Sequence, residues 1–132
     1  MRRSIGDADL SPADIDLVLA HATSTPAGDK VEARALVNIF APAEDKPGPF
    51  ITAPKAFTGH EFWMAGASQV VYGMLMAKGG FISGNSNLQN PSNAVKSLRL
   101  PRQKAYNMTR FFLCNASGFG GTNACLVIRN NQ

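Results

Sequence analysis

Residues 64–77, M-A-G-A-S-Q-V-V-Y-G-M-L-M-A, are apolar almost all the way round a helix. Such a helix has no polar face to give to water, so it belongs inside a layered fold. It is too short to cross a bilayer: a span needs roughly 18–20 apolar residues, and Gln69, Gly73 and Lys78 break the run. Gly66 and Gly73 lower its intrinsic helix propensity but allow close packing.

The rest of the chain is consistent with one layered domain. Its 132 residues, 45% hydrophobic and 17% charged, suit a single modest core and are too apolar for disorder. The N-terminus carries Asp7, Asp9, Asp14 and Asp16 in place of the apolar core of a signal peptide. A soluble, cytoplasmic protein with no membrane contact is the expectation. Cys114 and Cys125 make no disulfide framework, and no Cys/His cluster has zinc spacing, so no metal is expected.

Charge is distributed unevenly. Up to Glu61 there are nine acids and six bases, a balance of −3; beyond it there are seven bases and no acid. That pattern fits an acidic partner, and it also arises where buried segments simply carry few charges. The bases are not interleaved with a nucleic-acid-binding motif, so nucleic acid is not expected as the partner.

Along the chain, Ser11-Pro12-Ala13-Asp14 reads as a helix start. Residues 15–22 read as a buried strand delivering His21 at its end, and 29–40 as a helix with Val31, Ala35, Leu36 and Ile39 on one face. A loop with Pro42, Pro47 and Pro49 stops that helix, and 50–53 is a second strand. Residues 79–106, rich in Gly, Asn, Ser and Pro, read as a long surface connection. Residues 107–114 and 123–129 are β-prone runs flanking S-G-F-G-G-T, a hairpin signal. The fold class expected is α/β, with a mixed sheet, a buried helix and a terminal β-hairpin.

Three segments carry residues suited to chemistry. His21 lies in H-A-T-S-T-P-A-G-D and His60 in K-A-F-T-G-H, five residues after Lys55. Singly, each histidine reads as a hydrogen-bonded structural residue. Together, two imidazoles and a lysine on turns at strand ends suit the stabilisation of a developing oxyanion. Residues 117–124, S-G-F-G-G-T-N-A, lack the phosphate-loop pattern and precede a strand, which leaves a plain turn or a backbone N–H brought close to a reacting carbonyl.

These motifs, in this order and with A-G-A at 65–67, resemble the C-terminal part of β-ketoacyl-acyl-carrier-protein synthases from about residue 10 to residue 129. The chain is most similar to the elongating condensing enzymes of bacterial fatty-acid synthesis, which share the thiolase fold; polyketide ketosynthase domains are also similar. The resemblance implies a decarboxylative Claisen condensation. Malonyl on acyl carrier protein loses CO₂, and the enolate attacks an acyl group held as a cysteine thioester.

By resemblance, His21 and His60 stabilise the enolate oxygen and Lys55 supports them. Asp29 and Glu32 hold that lysine and the nearby loops, while also suiting a helix N-terminus by charge. Thr23 and Thr25 match hydroxyls that bind the phosphopantetheine arm. The Phe119 N–H matches an oxyanion-hole donor whose ring gates the acyl pocket, with Gly118, Gly120 and Gly121 letting the turn approach and move.

The resemblance further implies acyl carrier protein as partner, a homodimer at full length, and no resident cofactor, since phosphopantetheine arrives on the carrier. The family's nucleophilic cysteine belongs to an N-terminal half that nothing here matches. The expectation is therefore a fragment, 1–132, inactive alone, with Cys114 and Cys125 as buried, quiet thiols and apolar surface exposed around 64–77. A non-catalytic fragment that binds acyl carrier protein or a synthase subunit is the alternative. Three positions depart from the family: Ala22 and Trp63 where Gly is usual, and Ser117 where Phe is common.

Overall fold

The structure, a computed structural model, describes residues 1–42 and 47–131. In chain order the elements are α1 (Arg2–Asp7), β1 (Leu17–Leu19), α2 (Pro26–Phe40), β2 (Phe50–Thr52), α3 (Lys55–Thr58), α4 (Ala65–Gly79), β3 (Phe81–Ile82), β4 (Ala105–Tyr106), β5 (Phe111–Ser117) and β6 (Asn123–Arg129). Single 3₁₀ turns cover Pro12–Asp14, Phe62–Met64, Asn93–Val95 and Phe119–Gly121.

β1 is fully buried because it is covered on both faces and paired on both edges. The main sheet runs β2-β1-β5-β6, with β1 parallel to β2 and β5, and β6 antiparallel to β5. Val18 lies opposite Ile51 and Leu113 in register. Alternation along β1 sends Val18 to a cluster with Ile5, Leu36 and Phe40, and Leu17 and Leu19 to one with Met76, Ile82 and Phe112. The sheet thus has α1 and α2 on one face and α4 on the other, the mixed α/β layering expected.

Local sequence explains several boundaries. α2 starts at Pro26, whose fixed φ and missing N–H suit a first helical position. It begins three residues earlier than the apolar periodicity indicates. The middle of the following Pro-containing loop, 43–46, lies outside the described residues. α4 buries Ala65, Gln69, Gly73, Met76 and Ala77 and leaves Val71, Met74 and Leu75 more than half exposed. The apolar outer face expected for this helix is therefore present. At Gly73 the helix touches the sheet so closely that a Cβ would lie 2.3 Å from Phe112 Cε2.

Three readings need correction. Residues 79–106 are not simply a surface connection: β3 and β4 pair antiparallel there, and Ile82, Asn85 and Leu98 are buried. Asn85 accepts from the Ala53 N–H and donates to the Ile51 and Pro101 carbonyls, so a polar segment packs by satisfying backbone groups of β2. The strand expected at 107–114 starts at Phe111, because the Asp16 carboxylate draws in the Arg110 and Phe111 N–H groups at 2.7 and 2.9 Å. It continues to Ser117, where the two-strand pairing closes on Asn123. Cys114 is buried as expected, whereas Cys125, on the outermost strand, is only partly buried. Among the described residues no helix is long and apolar enough to cross a membrane.

Candidate active site

At the C-terminal end of β1 the chain leaves the sheet through a held turn. The Ala20 N–H donates to the Thr52 carbonyl at 2.9 Å, and the Gln69 side-chain amide, reaching from α4, donates to the Ala20 carbonyl at 2.7 Å. The next two N–H groups, of His21 and Ala22, both donate to the Glu32 carboxylate at 2.8 Å. Ala22 has φ 28° and Ser24 φ 60°, conformations that favour glycine.

Glu32 sits in the second turn of α2, facing the sheet. It also receives the Asn115 amide from β5 at 2.6 Å, so one carboxylate joins the β1 turn, α2 and β5. Asp29, three residues earlier on α2, has a buried Oδ1 without a hydrogen-bond partner. Thr23 and Thr25 lie on the turn itself with their hydroxyl oxygens 3.3 Å apart. A side chain at Gly28 would place its Cβ 2.5 Å from the Thr25 hydroxyl.

From the next strand, α3 carries Lys55, whose ammonium donates to the His21 carbonyl at 2.5 Å. Gly59, at φ 76°, ends α3 and turns the chain so that His60 meets His21 edge to face, their ring centroids 6.1 Å apart. The Phe62 N–H donates to His60 Nδ1 at 2.9 Å. A ring nitrogen that accepts carries no proton, so the neutral ring holds its proton on Nε2. Phe62 takes φ 50° to make this bond.

The charges are arranged around His21. Its pKa is lowered from 6.5, first by burial, then by the Lys55 ammonium, with Glu32 opposing and His60 adding a further lowering. Neutral imidazole, a hydrogen-bond donor without net charge, is its form at neutral pH. Lys55 is itself lowered from 10.5 by burial, while Glu32 and Glu61 favour its charge.

The turn borders a cavity of ~810 Å³ between α2, the end of β2 and residues 85–100. Thr23, Glu32, Lys55 and His60 line it, together with apolar Ile51 and Leu98. Among the described residues no cluster of three His, Cys, Asp or Glu side chains can hold a metal ion.

The structure thus brings together His21, His60, Lys55, Glu32, Thr23 and Thr25. Glu32 and Lys55 meet differently from the expectation: the carboxylate holds backbone N–H groups and acts on the lysine through space, while the lysine holds the His21 carbonyl. Phe119 stands apart, fully exposed at the tip of the terminal hairpin. Gly120 and Gly121 there have φ 79° and 85°, and the Gly118 N–H donates to the Thr122 carbonyl at 2.8 Å. Gly66 of α4 packs toward Ala116, which links the A-G-A segment to the root of that hairpin. Sequence reasoning missed Gln69 and Asn115, both buried. The available signal was a long polar amide inside an otherwise apolar run.

A family model described as "Beta-ketoacyl synthase, C-terminal domain" matches residues 1–89. The chain is 37% identical over 115 residues to 3-oxoacyl-[acyl-carrier-protein] synthase 1 of Escherichia coli strain K12, an alignment covering 87% of this chain and 27% of that relative. A β-ketoacyl synthase from Burkholderia phymatum STM815 superposes on the whole chain with TM-score 0.90 at 26% identity, of which this chain covers 31%. A type II PKS ketosynthase, solved in complex with its acyl-carrier protein and bound to the hexaketide, superposes with TM-score 0.85 at 26% identity over 97% of this chain and 31% of its own. The chain thus spans less than a third of the length of these proteins. The fold is thiolase-like. With two separated motifs gathered around one strand end and a family model matched across most of its length, the chain belongs to the β-ketoacyl synthase family through that family's C-terminal domain.

Proposed function

We propose that this chain supplies the decarboxylating half of a β-ketoacyl-acyl-carrier-protein synthase site. The observation that carries the reading is the pair of neutral-imidazole donors, His21 and His60, edge to face at 6.1 Å with His60 Nδ1 already satisfied. In the reaction, the bond between the malonyl α-carbon and its carboxylate breaks and CO₂ leaves. The electron pair passes into an enolate whose oxygen receives hydrogen bonds from the two imidazoles. The α-carbon then attacks the acyl thioester carbon, and that sulfur departs as thiolate. Donors fixed before charge develops stabilise it without reorganising.

In this reading Lys55 and Glu32 are positioning residues that hold the His21 backbone from both sides. Thr23 at the cavity, with Thr25 beside it, binds the neutral, amide-rich phosphopantetheine arm. The Phe119 N–H is the oxyanion donor for the acyl thioester, and its ring gates the acyl pocket. Exposure of Phe119 in this chain is in keeping with a nucleophilic cysteine contributed by sequence outside it, with 1–132 acting as a C-terminal domain inactive alone.

The substrate class is malonyl and acyl groups of fatty-acid synthesis, carried by acyl carrier protein in the cytoplasm; the functional unit is a homodimer, and no resident cofactor is used. The similarity to a ketosynthase solved with its carrier protein supports the partner and favours polyketide synthesis as the second reading. The test is CO₂ release from malonyl-acyl carrier protein by an enzyme assembled from this chain and a nucleophile-bearing half. His60→Ala and His21→Ala should each lower it by roughly 10²-fold or more. Undiminished release from both variants would overturn the assignment.

A further inference from the structure

The reaction leaves one well-anchored carboxylate without a role: Glu61, the residue after His60 and the last acid in the chain. The Tyr72 hydroxyl, on α4, donates to its Oε1 at 2.6 Å. Glu61 therefore ties the turn that carries His60 to α4.

That turn needs holding. Phe62 sits at φ 50°, a conformation costing a non-glycine residue roughly 1–2 kcal/mol. Its N–H is the group that fixes His60 Nδ1. If the turn relaxed to an ordinary φ, the Phe62 N–H would swing away and His60 would lose the contact selecting its Nε2–H form.

Glu61 also bears on Lys55. Of the groups acting on that half-buried ammonium, Glu32 and Glu61 are the carboxylates that favour its charge. The hydrogen bonds from Ser68 and Tyr72 hold the Glu61 carboxyl below the usual carboxylate range, and the same contact raises the Tyr72 hydroxyl. At neutral pH the pair is thus carboxylate and phenol.

We propose that Glu61 is a positioning residue of this site: a carboxylate strut, tied to Tyr72 of α4, that locks the turn presenting His60. Its catalytic meaning rests on the condensing reading, but its structural content rests on the hydrogen bonds alone, so a spectroscopic test separates the two.

The test compares Glu61→Gln, Glu61→Ala and Tyr72→Phe in this chain by ¹⁵N NMR of the histidine rings. Glu61→Gln keeps an acceptor for Tyr72, so His60 should remain in its Nε2–H form. Glu61→Ala should move His60 toward a mixture of tautomers. Tyr72→Phe preserves the ring packing, so it reports on the strut even where Glu61→Ala fails to fold; it should shift His60 in the same direction. His60 ring signals unchanged in Tyr72→Phe would overturn the proposal, leaving Glu61 a surface residue.

Discussion

The Lys55 ammonium donates to the backbone carbonyl of His21, and the Glu32 carboxylate accepts the N–H of the same residue. His21 is thus clamped at both ends of its own main chain by opposite charges, and its ring is left free for another partner. This arrangement sets direction without using the imidazole, which suits the oxyanion-donor role proposed for it.

Placing an ammonium beside His21 predicts its titration. Burial is the largest cause lowering its pKa and Lys55 the second. The midpoint followed by NMR should lie below 6.5, and Lys55→Met should raise it without restoring 6.5, because burial persists. The stability consequence follows by linkage. Above pH 6.5 the ring is neutral folded and unfolded; as pH falls below that value, the unfolded chain binds a proton that the folded chain resists, and stability is lost until the folded midpoint is passed. Urea unfolding at pH 7.5 and 5.5 should show this loss, and His21→Gln should reduce it.

Removing the carboxylate at the other end of the clamp should be costly. Glu32→Ala leaves the N–H groups of His21 and Ala22 and the Asn115 amide without their acceptor. A loss of roughly 2–3 kcal/mol in chemical denaturation is expected. Asn115→Ala should cost about 1 kcal/mol, and the double variant less than the sum, since both changes remove the same contact.

Ala22→Gly should stabilise the chain. At φ 28° an alanine is strained and a glycine is not. The gain, roughly 0.5–1 kcal/mol after glycine's greater unfolded-state entropy is counted, is measurable as a higher urea midpoint. An unchanged or lower midpoint would show that the turn relaxes around the alanine.

Gly73→Ala should destabilise, although alanine is the better helix former by about 1 kcal/mol. The added methyl would overlap the Phe112 ring, at 2.3 and 2.6 Å from two of its carbons. Overpacking of this kind costs roughly 1–3 kcal/mol, so a net loss is expected, with Phe112→Leu in the same chain recovering part of it.

Cys114 should behave as an inert thiol. It is buried against α4, and burial pushes it up to about 12, so it holds almost no thiolate at neutral pH. Native chain treated with a thiol-exchange reagent should leave Cys114 unmodified until denaturant is added. Incubation with acyl-acyl carrier protein should add no acyl mass to it.

Much of the layering was legible in residues because period and punctuation are local. The all-apolar α4, the body of α2 and the strand β6 after the glycine turn each appear near their expected places. The long segment 79–106 was misread because its order comes from distant partners. Asn85 is buried only because the end of β2 and Pro101 lie beside it, with the Ala53 N–H and the Ile51 and Pro101 carbonyls to satisfy. The start of β5 was misplaced for the same reason: the Asp16 that draws it in is 94 residues away from Arg110.

The candidate site divides along the same line. That His21, Lys55 and His60 stand out was readable in the sequence, since they lie in short motifs of unusual composition, and the structure brings the three together. How they act on one another was decided by tertiary structure. Only packing of α2 against the sheet puts Glu32 under the His21 and Ala22 N–H groups, and only the left-handed turn at Phe62 sets the proton of His60 on Nε2. A chain can carry the identity of its donors and acids locally. Their direction, tautomer and charge depend on desolvation and on neighbours tens of residues away, which exist only once the sheet has formed.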